Sequence, residues 1–395
     1  MQIHDVETKL FLAKFLARLA AHNLVRDTQV LLPTPDYERR YGKFPRYFSG
    51  WFLFVPSRDL TPGKLVHKKL NGLDLVAYRD AQGKPVIHAN RCPHLGGLFA
   101  PQGRVENGQL RCSYHGYSFD RGVPQSGPRD FRNDPKMCIP CFPTEEVAGL
   151  VMFWFDASAP DGIGAPEWPL TLPDVERFPR RAFARSIAPT HSALLNENIV
   201  DDLHFMQLHG APHYKSEPQT YHEKHRFVTK NTMRVPAPRV GPFRLRGLGD
   251  HIELQMDSEF LGLGIHINYI RMNDFEARFI HCNTPIVDEI TEWNLAIYME
   301  PRPRWPGPDL RSFMNWTYPW SALAQTYFLH TQDRRAVFES GEYRFYDEVP
   351  KGMEKIDAYR RWISEELLGQ PRPFGKTSQR SGYVPLDRVV RRADA

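Results

Sequence analysis

The sequence predicts an α+β chain, in which a small all-β domain precedes a larger domain where an antiparallel sheet grips helices. Two runs of strand-like segments, and the stretch between them, carry that prediction. From about residue 50 to 157, short apolar segments ("GWFLFVP", "KLVHKKL", "LDLVAYRD", "PVIHAN", "LRCSYHGYSF", "LVMFWFD") alternate with turn pairs such as Asn71-Gly72, Gln82-Gly83 and Asn107-Gly108. The segment "ASAPDGIGAPEWP" then gathers Pro, Gly and Ala, which marks a boundary. Beyond it, a helical stretch over about 190–209 precedes the strand candidates "IELQMDSEF", "GIHINYIRM", "EARFIHCNTPIV" and "TEWNLAIYME". Further helices are expected near 319–339 and 352–368. The expected units are an N-terminal helical arm over 1–45, the β domain over 46–157 and the α+β domain over 158–395.

A chain of 395 residues has room for two domains, each with its own core. At 41% hydrophobic and 25% charged, with 34 prolines, it reads as globular and rich in turns. A net charge of +5, with Lys and Arg interspersed among acids, argues against a nucleic-acid stripe and allows an acidic protein partner. No apolar run approaches the roughly 18–20 residues of a membrane span. The amphipathic N-terminus, interrupted by Lys14 and Arg18, reads as a packing helix rather than a signal peptide. Cys92, Cys112, Cys138, Cys141 and Cys282 are too few and too unevenly placed for a disulfide scaffold, which fits a reducing cytoplasm. The "CIPC" at 138–141 has no second pair at zinc spacing and reads as two small buried residues on a strand.

"CPH" at 92–94 and "CSYH" at 112–115 each offer a thiolate and an imidazole, with 17 residues between His94 and Cys112. Such a set can hold one tetrahedral zinc, or a 2Fe-2S cluster with both Cys on one iron and both His on the other. Both pairs sit in loops marked by Gly and Pro within a strand-rich region, unlike a zinc finger with its His residues on a helix.

The second cluster is "NENIVDDLHFMQLHG" at 196–210. On one continuous helix Glu197, Asp201 and His204 share a face, whereas His209 falls about 140° away from His204. The helix must therefore widen or end between the two imidazoles, and Gly210 and Pro212 supply the stop. Two imidazoles and one carboxylate form the facial triad of mononuclear non-haem Fe(II), with positions left open for dioxygen. Asp201 is too close in sequence to ligate comfortably beside His204, and suits an acceptor role at the other ring nitrogen. His213 is a second choice for His209, while His191, His266 and His281 read as structural, although His266 and Asn268 could line a pocket.

The C-x-H … C-x-x-H pattern, continued by "HLGG" and "HGYSFD", closely resembles the Rieske iron-sulfur motif. Asn198, Asp201, His204 and His209 fill N-x-x-D-x-x-H-x-x-x-x-H, which resembles the mononuclear-iron motif of the Rieske non-haem iron oxygenases. The resemblance runs from about residue 45 to Asp333, and lies nearer the single-subunit monooxygenase branch. It implies a Rieske 2Fe-2S domain followed by a helix-grip (START-like) catalytic domain. It also implies Cys92, His94, Cys112 and His115 as cluster ligands, and His204 and His209 as ligands of a mononuclear Fe(II). Gly97 and Tyr114 stand where respiratory Rieske proteins carry a bracing disulfide. The family's third iron ligand is an aspartate far downstream, and Asp333, 124 residues after His209, fits best, ahead of Glu339, Glu342 and Asp309. By the same resemblance, Asp201 links His204 to His115 of the partner subunit in a head-to-tail homotrimer, Asn198 and Glu197 support the iron site, and Asp202 is a bystander. The implied partners are dioxygen, a small hydrophobic aromatic or polycyclic substrate, and a ferredoxin or flavin reductase. The implied reaction is hydroxylation, demethylation or N-oxidation, with oxidative cyclisation or desaturation as the alternative. The rival from another class is a Rieske electron-transfer protein without oxygenase activity.

Overall fold

Continuous apolar runs such as "GWFLFVP" and "LVMFWFD" lack the alternation of a half-buried strand, and the computed structural model shows why: both are buried on two faces. The structure describes residues 44–173, 175–178, 180–209, 215–236, 239–240, 243–244, 251–272, 275–299, 329–336 and 353–369, together with Tyr37, Leu323, Thr326 and Phe338. The predicted N-terminal helix, Gly210, Pro212, His213, Asp309, Glu339 and Glu342 lie outside the described residues.

Ten strands make up the first part: β1 (Gly50–Pro56), β2 (Val66–Leu70), β3 (Leu73–Arg79), β4 (Pro85–Ala89), β5 (Arg104–Glu106), β6 (Gln109–Arg111), β7 (Ser118–Asp120), β8 (Val123–Ser126), β9 (Thr144–Val147) and β10 (Leu150–Phe155). They form three antiparallel sheets in the orders β1-β10-β9, β2-β3-β4 and β5-β6-β7-β8. Asn71-Gly72 and Asn107-Gly108 close hairpins with positive φ at both positions, the geometry whose twist matches paired strands. At Gly108 a side chain would also collide with the backbone of Ala81. The strand expected across "MCIPCFPTEE" does not form as one piece. Pro135–Met137 is a 3-10 turn, Cys138 is exposed, Cys141 makes a single bridge with His88, and pairing begins only at Thr144. Pro140 has no N–H to give to a ladder.

The second part is a seven-stranded antiparallel sheet in the order β11-β19-β18-β17-β16-β13-β12. Its strands are β11 (Arg180–Ala188), β12 (Lys215–Glu223), β13 (Arg226–Pro236), β16 (His251–Leu261), β17 (Ile265–Met272), β18 (Phe275–Val287) and β19 (Ile290–Met299). A separate two-stranded ribbon pairs β14 (Arg239–Val240) with β15 (Phe243–Arg244). Among the described residues the sheet is accompanied by α1 (Ser192–Val200), α2 (Asp202–Gln207), α3 (329–336) and α4 (Glu354–Trp362), the last running on into a π turn over Ile363–Leu367. The sequence hid β11, β12 and β13. On β13 the buried positions are Phe227, Thr229, Asn231 and Met233, so polar residues blur the apolar alternation.

Each part keeps apolar clusters of its own, and a further cluster joins the two. Trp51, Leu53, Leu150, Met152 and Trp154 of β1 and β10 pack directly on Ile265, Ile267, Ile280, Cys282, Ala296 and Tyr298 from the outer face of the large sheet. Fully burying side chains of this size contributes about 1.5–3 kcal/mol each. The Pro-, Gly- and Ala-rich stretch is fastened to the same core. Trp168 meets Trp154 edge to face at 4.6 Å, and its carbonyl accepts from Trp51 Nε1–H at 3.0 Å. At the same seam Lys68 reaches Glu292 at 2.5 Å and donates to Phe54 O, and burial pushes its ammonium down to about 8 despite that partner. Among the described residues, no helix is long and apolar enough to cross a membrane.

Candidate metal centres

Two loops of the β domain repeat one construction. In the first, Cys92 N–H donates to Gly97 O and Gly96 N–H returns to Cys92 O. In the second, Cys112 N–H donates to Tyr117 O and Gly116 N–H returns to Cys112 O. The return requires positive φ at Gly96 (+75°) and Gly116 (+77°), where a side chain would be strained. Each turn buries its cysteine and leaves an imidazole at the rim. The two imidazoles meet edge to face, their Nδ1 atoms 3.2 Å apart. The thiols face each other inside a shell that includes Phe99, Tyr117 and Ile139. Burial, reinforced by the neighbouring Cys112, pushes the Cys92 thiol up to about 12. A thiol held as Cys92 is keeps its proton unless a metal compensates the charge. One pair of sulfurs and one pair of Nδ1 atoms is the donor set of a two-iron cluster with unlike ends.

Gly97 and Tyr114 do lie against each other: a methyl at Gly97 would come 3.1 Å from the Tyr114 ring. That ring is 64% exposed and lies 3.9 Å from the His115 ring, so an aromatic covers the rim in place of a covalent brace.

The second site forms at a break in the predicted helix. α1 ends at Val200, Asp201 takes extended angles (φ −85°, ψ 99°), and α2 begins at Asp202. The expectation that Glu197, Asp201 and His204 share one helix face is therefore overturned, because Asp201 is itself a cap. Its carboxylate accepts from the N–H groups of Leu203 and His204, which satisfies two donors that have no partner within a first helical turn. The group fixing the tautomer of His204 is consequently the backbone carbonyl of Asp201, which accepts from Nδ1–H at 2.6 Å. α2 then widens as it ends, for His204 O accepts from both Leu208 N–H (2.8 Å) and His209 N–H (3.4 Å). That extra residue in the turn brings His209 round beside His204, ring centroids 4.9 Å apart.

Asp333 arrives on α3. Its Oδ1 lies 3.0 Å from His209 Nε2 and 3.9 Å from His204 Nε2, and the three ligand atoms all fall within 4.8 Å of one another. Gln332, which the sequence reading passed over, accepts from His209 Nδ1–H at 3.2 Å. With both Nδ1–H groups engaged, two Nε2 lone pairs and a carboxylate oxygen point at a common centre. His204 Nε2 and Asp333 Oδ1 are buried with no hydrogen-bond partner, and burial holds the His204 imidazole below its usual range. Converging acceptors with no proton between them fit a cation. In sequence, Leu329 and Ala336 at helical spacing from Asp333 predict an apolar setting, and the structure supplies it only in part, since Leu329 is half-buried and Ala336 is exposed.

Glu197 is not part of this group. Its carboxylate is gripped by Arg360 of α4 through two bonds of 2.8 Å, in a buried fork-to-fork pair. Asp202 likewise faces α4, with Lys355 Nζ at 3.5 Å. Both acids tie the broken helix to α4 from either side of Asp201. Asn198 is half-buried on α1. His191 caps α1 by accepting from Ala193 N–H, and its Nε2–H donates to Arg46 O, a structural role as expected.

Comparison with known proteins yields a consistent set. Residues 50–143 match the model of the Rieske [2Fe-2S] domain, and residues 153–315 match the C-terminal domain of 3-ketosteroid 9alpha-hydroxylase. Cholesterol 7-desaturase nvd 1 of Ciona intestinalis is 30% identical over 178 residues, 44% of this chain and 36% of that protein. Pheophorbide a oxygenase of Arabidopsis thaliana is 25% identical over 396 residues, 87% of this chain and 68% of that protein. The chain spans between about a third and three fifths of the length of the first curated relatives it matches. Among solved structures, NdmA of Pseudomonas putida with caffeine superposes with a TM-score of 0.58 at 18% identity, covering 80% of this chain and 90% of that one. Dicamba monooxygenase bound to 3,6-dichlorosalicylic acid gives 0.57 at 20% identity, covering 80% and 95%. At these identities the structural likeness speaks for the fold.

Proposed function

The chain belongs to the Rieske-type oxygenases, and from that premise we propose that it oxidises a hydrophobic polycyclic or aromatic substrate at the site formed by His204, His209 and Asp333. The observation that carries this reading is the convergence of two Nε2 lone pairs and a buried carboxylate oxygen. A 2Fe-2S cluster on Cys92, His94, Cys112 and His115 would supply electrons singly, and an iron on the inner triad would supply the place where dioxygen is reduced.

The chain's own residues do the positioning. The Asp201 carbonyl and the Gln332 amide hold the two imidazoles in the tautomer that presents Nε2. Phe205, Met233 and Met256 form an apolar cluster beside α2 that keeps water scarce, the surroundings an apolar substrate needs. Relatives named for steroid and sterol oxidation favour a fused-ring substrate, and the desaturase among them keeps desaturation beside oxygen insertion as an outcome.

Electrons would pass between copies of the chain in a head-to-tail homotrimer, with Asp201 joining His204 to His115 of the partner subunit, after delivery by a ferredoxin or flavin reductase. Asp201 can serve because helix capping uses one of its carboxylate oxygens. Apolar side chains stand exposed at both ends of that route, Leu95 (67%) and Tyr114 at the loop rim and Leu203 (50%) beside His204, as an interface between copies would require.

Metal analysis tests the site. Wild-type protein should carry about three irons and two sulfides per chain, and Asp333→Ala should keep the cluster absorption with about two irons and no turnover. An Asp333→Ala variant with undiminished turnover removes Asp333 from the site.

A further inference from the structure

Phe205 meets both imidazoles of the inner triad, its ring centroid 4.3 Å from that of His204 and 5.5 Å from that of His209. The same residue packs with Met233 of β13 and Met256 of β16, and Met206 of α2 joins them. Three thioethers from three elements therefore gather on one ring that itself contacts both histidines. The rest of the cluster, Ile199, Leu254 and Ile270, is hydrocarbon.

Packing alone does not call for sulfur here. Leucine fills nearly the same volume as methionine, and the flexible thioether specifies a core less sharply. What the thioether adds is a nucleophilic sulfur with no proton to lose before it reacts with an oxidant, whereas a cysteine must first become a thiolate. Other sulfurs of the chain are placed differently. Cys282 belongs to the outer face of the large sheet, and burial pushes its thiol up to about 12, so it stays protonated and inert. Met152 is sealed at the seam with the β domain, and Met353 is half-buried just before α4.

Dioxygen that takes up two electrons and two protons at the triad, with no substrate to receive oxygen, leaves as hydrogen peroxide. Met233 and Met256 are only 8% and 6% exposed, which shields them from peroxide in the medium. Peroxide released at the triad starts one side chain away from them. In the reaction the sulfur lone pair attacks one peroxide oxygen, and the O–O bond breaks as the S–O bond forms. The second oxygen departs as water with both protons, so sulfur loses two electrons and peroxide gains them.

From this we infer that Met206, Met233 and Met256 form an internal peroxide trap, a modification site where peroxide made at the triad without substrate is consumed by oxidising thioethers to sulfoxides. The inference rests on the reading of His204, His209 and Asp333 as the place where dioxygen is reduced, and its test is a peptide map rather than turnover. Protein carrying its cluster and third iron is reduced anaerobically and freed of reductant. It is then given dioxygen without substrate, in the presence of catalase to destroy peroxide that escapes. One electron stored on the cluster and one on the iron allow about one sulfoxide per chain in each cycle. After several cycles the sulfoxide fraction at Met233 and Met256 should exceed that at the more exposed Met353 by about tenfold. Unreduced wild type and Asp333→Ala, handled alike, should show no such excess. With catalase omitted, a variant combining Met206→Leu, Met233→Leu and Met256→Leu should release severalfold more peroxide than wild type. The inference is overturned if Met353 is oxidised ahead of Met233 and Met256, if unreduced or Asp333→Ala protein gives the same map, if no methionine beside Phe205 gains oxygen, or if the triple variant releases no more peroxide than wild type. Failure of the oxidation reading shows separately, as wild-type protein without its third iron before dioxygen is admitted.

Discussion

The loops carrying Cys92, His94, Cys112 and His115 draw each pair of donors from one tight turn, whereas the inner site joins His204 and His209 to a carboxylate 124 positions further along the chain. The first depends on two glycines and a hydrogen-bond pattern written twice. The second depends on where a helix breaks, on α3, and on the ion pairs that fasten the break to α4. A centre built from local turns can form before the rest of the fold is complete, while one built from distant segments is only as ordered as the packing between them.

The two centres should therefore fail separately, and Cys112→Ala offers the largest effect. It should abolish the visible cluster absorption while leaving about one iron per chain at the inner triad. Loss of both metals together would mean that the inner site depends on the loops.

Next in size, Arg360→Ala leaves the Glu197 carboxylate buried without its partner. By denaturant unfolding it should lower stability by about 3–5 kcal/mol. The cluster spectrum of the folded variant should not change, and an altered spectrum would contradict the independence of the two centres.

Acid should act on the helical side as well. His191 is held neutral by burial, its pKa pushed down to about 4 from the ordinary 6.5. The unfolded chain takes up a proton below about 6.5 and the folded chain does not, so this contribution is intact above that pH and is lost as pH falls toward 4. The loss amounts to about 3 kcal/mol at the lower end. His191→Asn keeps a cap on α1 without the titration and should flatten the pH dependence of the melting temperature over that window. An unchanged slope assigns the acid sensitivity to other buried histidines.

The smallest effect is expected at Gln332. Replacing it with Leu frees His209 to turn, and iron affinity measured by chelator competition should fall by about 10- to 100-fold with the cluster untouched. Affinity equal to wild type would show that the ring is held by packing alone.

Legibility followed the same division. Cys92, His94, Cys112 and His115 stand in the sequence at spacings that a turn enforces, and the Asn-Gly hairpins around them have a one-to-one geometric meaning. His204 and His209 were also readable, and so was the need for a widened turn between them. The break at Asp201 was not, because capping and helical continuation begin with the same residue types. Asp333 carried only a weak local signal, apolar neighbours at helical spacing, and it was the spacing of the resembling family that singled it out among the later acids. Gln332, Arg360 and Lys355 carry no signal of their own, since their roles exist only once α3 and α4 are docked. The strands β11 to β13 were missed for a related reason: Thr229 and Asn231 face inward, and a polar residue in an alternating pattern reads as surface.

The tryptophans at the seam bear on how the molecule melts. Trp51 and Trp154 belong to the β domain, Trp168 to the stretch that follows it, and all three are packed with strands of the large sheet. Separating the two parts would wet the apolar outer face of that sheet, so neither part has a boundary along which it can come away intact. Heating should therefore give one cooperative transition in a calorimeter, with calorimetric and van't Hoff enthalpies in agreement, although the chain is long enough for two.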